Sequence, residues 1–493
     1  MSRRIKILPI LAGPLVFITF QFFDPPAMMS NEAYQVLLTT LWIAIWWIFE
    51  AIPIAATALL PVVLFPLTGA LELATTTSSF GHKYVFLYLG GFIIAIAIEK
   101  WGLHKRIALG IIALIGSNMT YIILGFMIAT AFLSMWISNT ATAVMMLPIG
   151  MAVISQFSSL SPGMDSDKAG KALMLGIAYS ASIGGIATII GTPPNLVLAG
   201  VLKETYDVEI SFFDWMKFGL PLSGLLLFIC WKYLTRYSFR LQQITFPGGM
   251  SAIKQMRAKL GGSGQAEKSV LLVFLLTAVL WIFRSLLQNA LPQLDDTIIA
   301  MSSGILLFIL PSGHENEKIL NWKDCLRLPW DIILLFGGGM ALAKGFTETR
   351  LADWIALRLA GLQGIHLLLL ILILVSAVNF LTEVTSNLAT TAMLLPVLAP
   401  MAQAFDLHPF MVLVPVTLAA SCAFMLPVAT PPNAVVFGSG YLRIPDMMKA
   451  GILLNVLSIL IITLMTYFLL PIVWDFPEGV FSGAFEIIGL SLK

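Results

Sequence analysis

The sequence predicts an all-α, polytopic membrane protein with about eleven membrane-crossing helices plus two re-entrant helical hairpins, arranged as inverted repeats. Three observations carry that expectation: composition, the spacing of apolar runs, and a set of polar motifs that occurs twice in one order. Of 493 residues, 58% are hydrophobic and 11% charged, where soluble domains are about a quarter charged. The mean hydropathy is +0.92. A crossing helix needs about 20 apolar residues, and backbone in lipid must satisfy its own hydrogen bonds, so helices are the default.

The apolar runs place crossings at 8–24, 34–50, 52–68, 84–99, 171–202, 212–232, 269–291, 294–310, 329–345, 409–440 and 447–474. The opening MSRRIKILPILAGPLVFITF has a basic start and no small-residue cleavage site after it, so it reads as a first helix within an extra N-terminal unit, 1–33. Two further apolar regions, 121–157 and 364–405, each carry a polar group near the middle and return the chain to the side it came from. Of the 28 Lys and Arg, 20 fall in the loops that are cytoplasmic if the N-terminus is cytoplasmic. The positive-inside rule favours that orientation, which leaves the C-terminus outside.

The duplication is visible in three matched pairs. LGGFIIAIAIEKWGLHKRIAL (89–109) resembles FGGGMALAKGFTETRLADWIAL (336–357); WISNTATAVMMLP (136–148) resembles VTSNLATTAMLLP (384–396); GTPPNLVLAG (191–200) resembles ATPPNAVVFG (429–438). An odd number of crossings separates the copies, so they lie upside down to each other, the hallmark of secondary transporters with a midplane site. The copies span 34–240 and 269–475, with a polar, Gly-rich cytoplasmic linker at 241–268 and a C-terminal tail at 476–493.

Chemistry concentrates at the polar tips, Ser138-Asn139-Thr140 and Ser386-Asn387-Leu388. A hairpin tip offers carbonyls to cations, and N–H groups with a positive dipole end to anions. Ser and Asn cap helices and bind sodium or a carboxylate without formal charge. Ser134 and Thr382 stand four residues before Ser138 and Ser386, which on a helix would stack two hydroxyls on one face. Pro193-Pro194 and Pro431-Pro432 are expected to free carbonyls one turn back, near Ile189 and Ile190 and near Pro427 and Val428. Gly191 and Ala429 complete those breaks as candidate sodium ligands, beside Thr192, Asn195, Thr430 and Asn433. One Ser-Asn pair is usually a cap and one Pro pair a kink; both motifs duplicated in inverted copies point to a transport site.

Other signals are weaker. Glu383 sits beside the second tip, where the first copy has Met135, and suits ion tuning or a structural hydrogen bond equally. His82, His104, His314, His366 and His408 fall at helix ends or loops, which disfavours an intramembrane proton relay. GGSGQAEKS (261–269) lacks the last Gly of a phosphate loop and no strand precedes it. Gly90-Gly91 and Gly337-Gly338-Gly339 suit close helix packing. The net charge of +2 implies no nucleic-acid partner, and Cys230, Cys325 and Cys422 form no paired motif for a disulfide or metal. No H-E-x-x-H, D-D-x-x-D or G-x-S-x-G constellation suggests an enzyme.

At the paired Ser-Asn and Thr-Pro motifs the sequence resembles the divalent anion:sodium symporter family of di- and tricarboxylate and sulfate carriers, along nearly the whole chain. The resemblance implies a bacterial inner (plasma) membrane carrier and a homodimer, with scaffold helices at 34–120 and 269–363. The hairpins and transport helices, at 121–240 and 364–475, would move as an elevator. It implies one sodium at Ser134, Ser138 and Asn139 and another at Thr382, Ser386 and Asn387, with Thr192-Pro193 and Thr430-Pro431 flanking ions and substrate. Sodium would serve as the coupling ion, and no cofactor is implied. Leu388 departs from the fuller motif, whose third residue in many bacterial members is Thr, as Thr140 is here. With no Lys or Arg near the tips and two tips to hold two charges, a C4-dicarboxylate such as succinate, malate or fumarate is expected ahead of compact sulfate. The alternatives within the family are a sodium-independent dicarboxylate exchanger and a sulfate or tricarboxylate carrier.

Overall fold

The computed structural model describes residues 3–115, 118–160, 164–241, 249–314, 317–359 and 364–476. Residues 242–248 of the expected linker, and all but the first residue of the expected tail, lie outside them. Among the described residues the regular elements are helices, and strand pairing is limited to an isolated bridge between Pro311 and Lys318.

Among the described residues six helices are long and apolar enough to cross a membrane, and six more are apolar but only 10–17 residues long. The short ones arise where Pro, Gly or a polar tip interrupts an apolar run. The run at 52–68 becomes Ile54–Thr57 and Leu60–Thr68, the second starting with Pro61 in its first turn. The runs at 171–202 and 409–440 each become two helices with an irregular break: Met164–Ile186 and Pro193–Tyr206, then Pro409–Ala420 and Pro431–Phe437. Each polar tip sits between two arms, Met119–Ser134 with Asn139–Leu160 and Leu367–Leu381 with Asn387–Ala404.

A matched pair of helices, one in each copy, falls outside the expected crossings. Leu103–Ile115 follows Lys83–Lys100, and Leu351–Leu359 follows Trp330–Glu348. Both carry charges within a short apolar pattern, which hides them from a hydropathy scan. The chain turns into them through left-handed residues, Gly102 (φ 70°) in one copy and Arg350 (φ 58°) in the other, so the same corner is built with and without glycine. The linker is also more ordered than its Gly-rich composition suggests. Gly249–Lys259 is helical, buries Ile253, and packs on Leu103–Ile115 and Asn139–Leu160. Arg106 fastens its far end through the Gly261 carbonyl (3.1 Å) and Glu267 (3.1 Å).

The two copies interlock around the site. Pro193–Tyr206 packs on Asn387–Ala404 and Pro409–Ala420, while Pro431–Phe437 packs on Asn139–Leu160 and Met164–Ile186. Close approach at the breaks depends on glycine. A Cβ on Gly219 would meet the Ile186 carbonyl at 2.8 Å, and one on Gly451 would collide with the Phe424 carbonyl. Each final helix thus leans on the residue where the neighbouring helix gives way.

Candidate functional site

At the first tip, Ser134 ends one arm and Asn139 begins the next. The fully buried Ser134 hydroxyl donates to the Ala181 carbonyl at 2.7 Å and lies 2.6 Å from the oxygen of the Asn139 amide. With the amide turned over, its nitrogen donates to the carbonyls of Ala181 (3.1 Å) and Gly191 (3.3 Å). With the oxygen inward, Ser134 Oγ, Asn139 Oδ1 and the two carbonyls form a cluster of four oxygens, a donor set that suits a hard cation. Ser138 serves a different purpose: its hydroxyl accepts from Ala141 N (3.2 Å) and caps the second arm. The expected stack of Ser134 over Ser138 is therefore corrected, because the first arm ends at Ser134 and the two hydroxyls face different partners.

The second tip repeats the core of the pattern with three oxygens, and Ser386 makes no side-chain cap bond. Thr382, also fully buried, donates to Asn387 Oδ1 (2.7 Å) and to the Ala420 carbonyl (3.0 Å). Behind each tip an Asn closes the break. Asn195 Nδ2 donates to the carbonyls of Thr188 (2.8 Å) and Gly185 (3.3 Å), and Asn433 Nδ2 to those of Leu426 (3.0 Å) and Ala423 (3.2 Å).

The breaks lie earlier than the prolines suggest. Pro193 and Pro431 start the helices that follow, where a missing N–H costs nothing. The carbonyls drawn to the tips are thus Ala181, Gly191 and Ala420, with Ile190 buried against Gly91 and Val428 78% exposed. Thr430 caps its helix by accepting from Asn433 N (3.2 Å), whereas Thr192 stands at the same point without a side-chain cap bond. Thr140 is half-buried, as are Ser138, Asn139, Ser386 and Asn387, while Leu388 is 8% exposed and packs into the core.

Three features lay beyond sequence reasoning. Thr188 donates to the Met135 carbonyl (2.5 Å), tying the first tip to its break. Thr385 and Thr390 share a 2.7 Å hydrogen bond that braces the second tip alone. Trp136, two residues before Ser138, stacks among Phe212, Phe274 and Trp281 with ring centroids 4.9–6.4 Å away, which anchors the first tip on the helix Gln265–Ile282. Neither hairpin contains a Lys or Arg. His82, His366 and His408 all accept from the second N–H of the helix that they precede, so they are caps.

The sodium:sulfate symporter transmembrane region model matches residues 5–474. Sodium-dependent dicarboxylate transporters from Staphylococcus saprophyticus and from Staphylococcus aureus strain USA300 are 44% and 45% identical to the chain. The alignments cover 94% and 95% of this chain, and 92% of each of those proteins. The fold is shared with the Neisseria gonorrhoeae MtrF efflux pump (TM-score 0.59, 13% identity, 95% and 99% of the two chains). It is shared as well with the Alcanivorax borkumensis YdaH transporter (TM-score 0.60, 12% identity, 91% and 100%). A family match across nearly the full length, with paired tips that present oxygen clusters, places the chain in the sodium:sulfate symporter family, the divalent anion:sodium symporters.

Proposed function

We propose that the protein is a secondary active carrier that moves C4-dicarboxylates such as succinate, malate and fumarate together with sodium. The observation that carries this reading is the pair of matching oxygen clusters, Ser134–Asn139–Ala181–Gly191 and Thr382–Asn387–Ala420, each at the junction of a hairpin tip and a broken helix. Oxygens without formal charge suit a monovalent, weakly held cation that must leave again. Sodium is cargo here, and each ion bridges a tip to a break. The relatives named as sodium-dependent dicarboxylate transporters supply the substrate class.

The anion is held by what the tips offer besides oxygens. The second arms begin at Asn139 and Asn387, so their free N–H groups and positive dipole ends face the tips. The Thr140 hydroxyl makes no hydrogen bond among the described residues and is half-buried, available as a donor. Ser138, Ser386, Thr192-Pro193 and Thr430-Pro431 border the same junctions. The hairpins and the helices after them, 121–240 and 364–475, move as a transport domain against the scaffold helices, 34–120 and 269–363. The protein works as a homodimer in the bacterial inner membrane, with its N-terminus cytoplasmic and its C-terminus outside.

The test is uptake of radiolabelled succinate into proteoliposomes, with sodium outside, inside or absent and with unlabelled dicarboxylate preloaded or not. Symport gives accumulation driven by inward sodium alone. Uptake that needs preloaded dicarboxylate and ignores sodium refutes the proposal in favour of exchange.

A further inference from the structure

We propose that Glu383 is the fixed counter-charge of the second oxygen cluster, making Thr382, Asn387 and Ala420 the tighter of the two sodium sites and the first to fill. The proposal rests on the sodium-coupled reading above and says which of its two sites leads.

Glu383 follows Thr382 directly and is 4% exposed. Its Oε1 accepts from Phe424 N (2.8 Å), Met425 N (2.9 Å) and Asn455 Nδ2 (2.7 Å), and its Oε2 from Leu426 N (3.0 Å). All four partners are donors, so the group is built in as a carboxylate; a protonated acid would turn its O–H toward N–H groups. Ion pairs among the described residues lie elsewhere, for example at Lys83–Glu209, Lys100–Asp324 and Arg284–Asp296, and none of them includes Glu383. A buried carboxylate without a fixed cation is costly. A mobile cation one residue away removes that cost.

The same hydrogen bonds alter the neighbouring carbonyl. In a continuous helix Phe424 N would donate to the Ala420 carbonyl. Here it donates to Glu383 and to Asn455 Oδ1 (3.2 Å), and the helix Pro409–Ala420 stops. Ala420 is left free of its helical donor, with its oxygen toward Thr382. In the first copy the helix runs on past Ala181 to Ile186, and Met135 takes the place of Glu383. Both clusters thus draw on a carbonyl at a helix break, Gly191 in the first and Ala420 in the second, but only the second has a charge behind it.

The experiment is equilibrium binding of radiolabelled sodium to the purified full-length protein without substrate, for wild type, Ser134→Ala, Thr382→Ala, Glu383→Gln and Glu383→Asp. Wild type should show two classes of site. The tight class should survive Ser134→Ala and vanish in Thr382→Ala, an arm that stands even if Glu383→Gln fails to fold. Glu383→Gln should weaken the tight class ten- to a hundredfold, about 1.4–2.8 kcal/mol, and leave the Ser134-dependent class unchanged. Glu383→Asp, which keeps the charge, should stay within about threefold of wild type. A tight class that depends on Ser134, a Glu383→Gln protein with wild-type binding, or Glu383→Asp as weak as Glu383→Gln would each overturn the proposal. A wild type without saturable sodium binding would instead overturn the sodium-coupled reading itself.

Discussion

Gly185→Ala disturbs the first oxygen cluster without removing any of its ligands. Gly185 lies in the helix Met164–Ile186, and a Cβ there would stand 2.5 Å from Asn139 Oδ1 and 3.0 Å from its Nδ2. Ordinary contact begins at 3.4 Å, so the amide must retreat by 0.9 Å, the difference between 3.4 and 2.5. Two effects on stability oppose each other. Alanine favours the helix by roughly 0.5–1 kcal/mol, and overpacking costs about 1–3 kcal/mol. The net loss is at most about 2.5 kcal/mol, and the fold survives.

The site fares worse than the fold. A ligand displaced by nearly an ångström no longer coordinates, and one contact to a charged group is worth about 1.5–3 kcal/mol, roughly ten- to over a hundredfold in affinity. The assay is sodium activation of labelled succinate uptake in proteoliposomes at saturating succinate, beside a thermal melt. Half-activating sodium should rise at least tenfold while the melt stays cooperative. Ala423 holds the corresponding place in the second copy, where the chain is no longer helical, so Ala423→Gly should leave sodium activation nearly unchanged. A well-folded Gly185→Ala protein with wild-type sodium activation would refute the assignment of the first cluster.

Asn195→Leu and Asn433→Leu each strip two hydrogen bonds from a break and leave carbonyls unpaired at about 1–3 kcal/mol each, which should lower the melting temperature and slow uptake together. Thr140→Val should raise the succinate KM roughly ten- to a hundredfold. Leu388→Val, at a core position, should cost about 1 kcal/mol of stability and leave KM alone; equal KM values in the two variants would exclude Thr140 from the anion site. Burial pushes the cap imidazoles of His82 and His408 down to about 4, with Lys83 adding to the effect at His82. Their folded values lie below the unfolded value near 6.5, so the stability they contribute is full above about 6.5 and fades as pH falls toward 4. Melting curves at pH 7.5 and 4.5 should show that loss in wild type and less of it in a His82→Asn/His408→Asn protein, whose caps do not titrate.

Polar motifs stand out in an apolar chain, which is why both tips, the duplication and the closing Asn residues were legible in the sequence. The positions of the breaks were not. Pro-Pro reads as an interruption, yet it can open a helix as readily as end one, and that ambiguity moved the expected carbonyls from Ala181 and Ala420 toward Ile190 and Val428. Leu103–Ile115 and Leu351–Leu359 escaped because a short amphipathic helix carries no hydropathy peak. Glu383 could not be assigned from sequence because three of its four partners are backbone N–H groups 41 to 43 residues away, and peptide groups look alike at every position.

The charges around the site explain why uncharged tips suffice for a charged substrate. The proposed dicarboxylate would bring two negative charges to hairpins that contain no Lys or Arg, and Glu383 would add a third. The arms that start at Asn139 and Asn387 each present about half a positive charge, so the helices alone leave roughly two negative charges unbalanced. On the proposed reading two sodium ions close that gap, one at each cluster, between the dipole ends and the breaks. An arginine in their place would balance the dianion permanently and hold it; ions that leave with the substrate do not. On that reading the absence of a fixed cation would couple the two cargoes, because the dianion would have an electrostatic home only while sodium is bound.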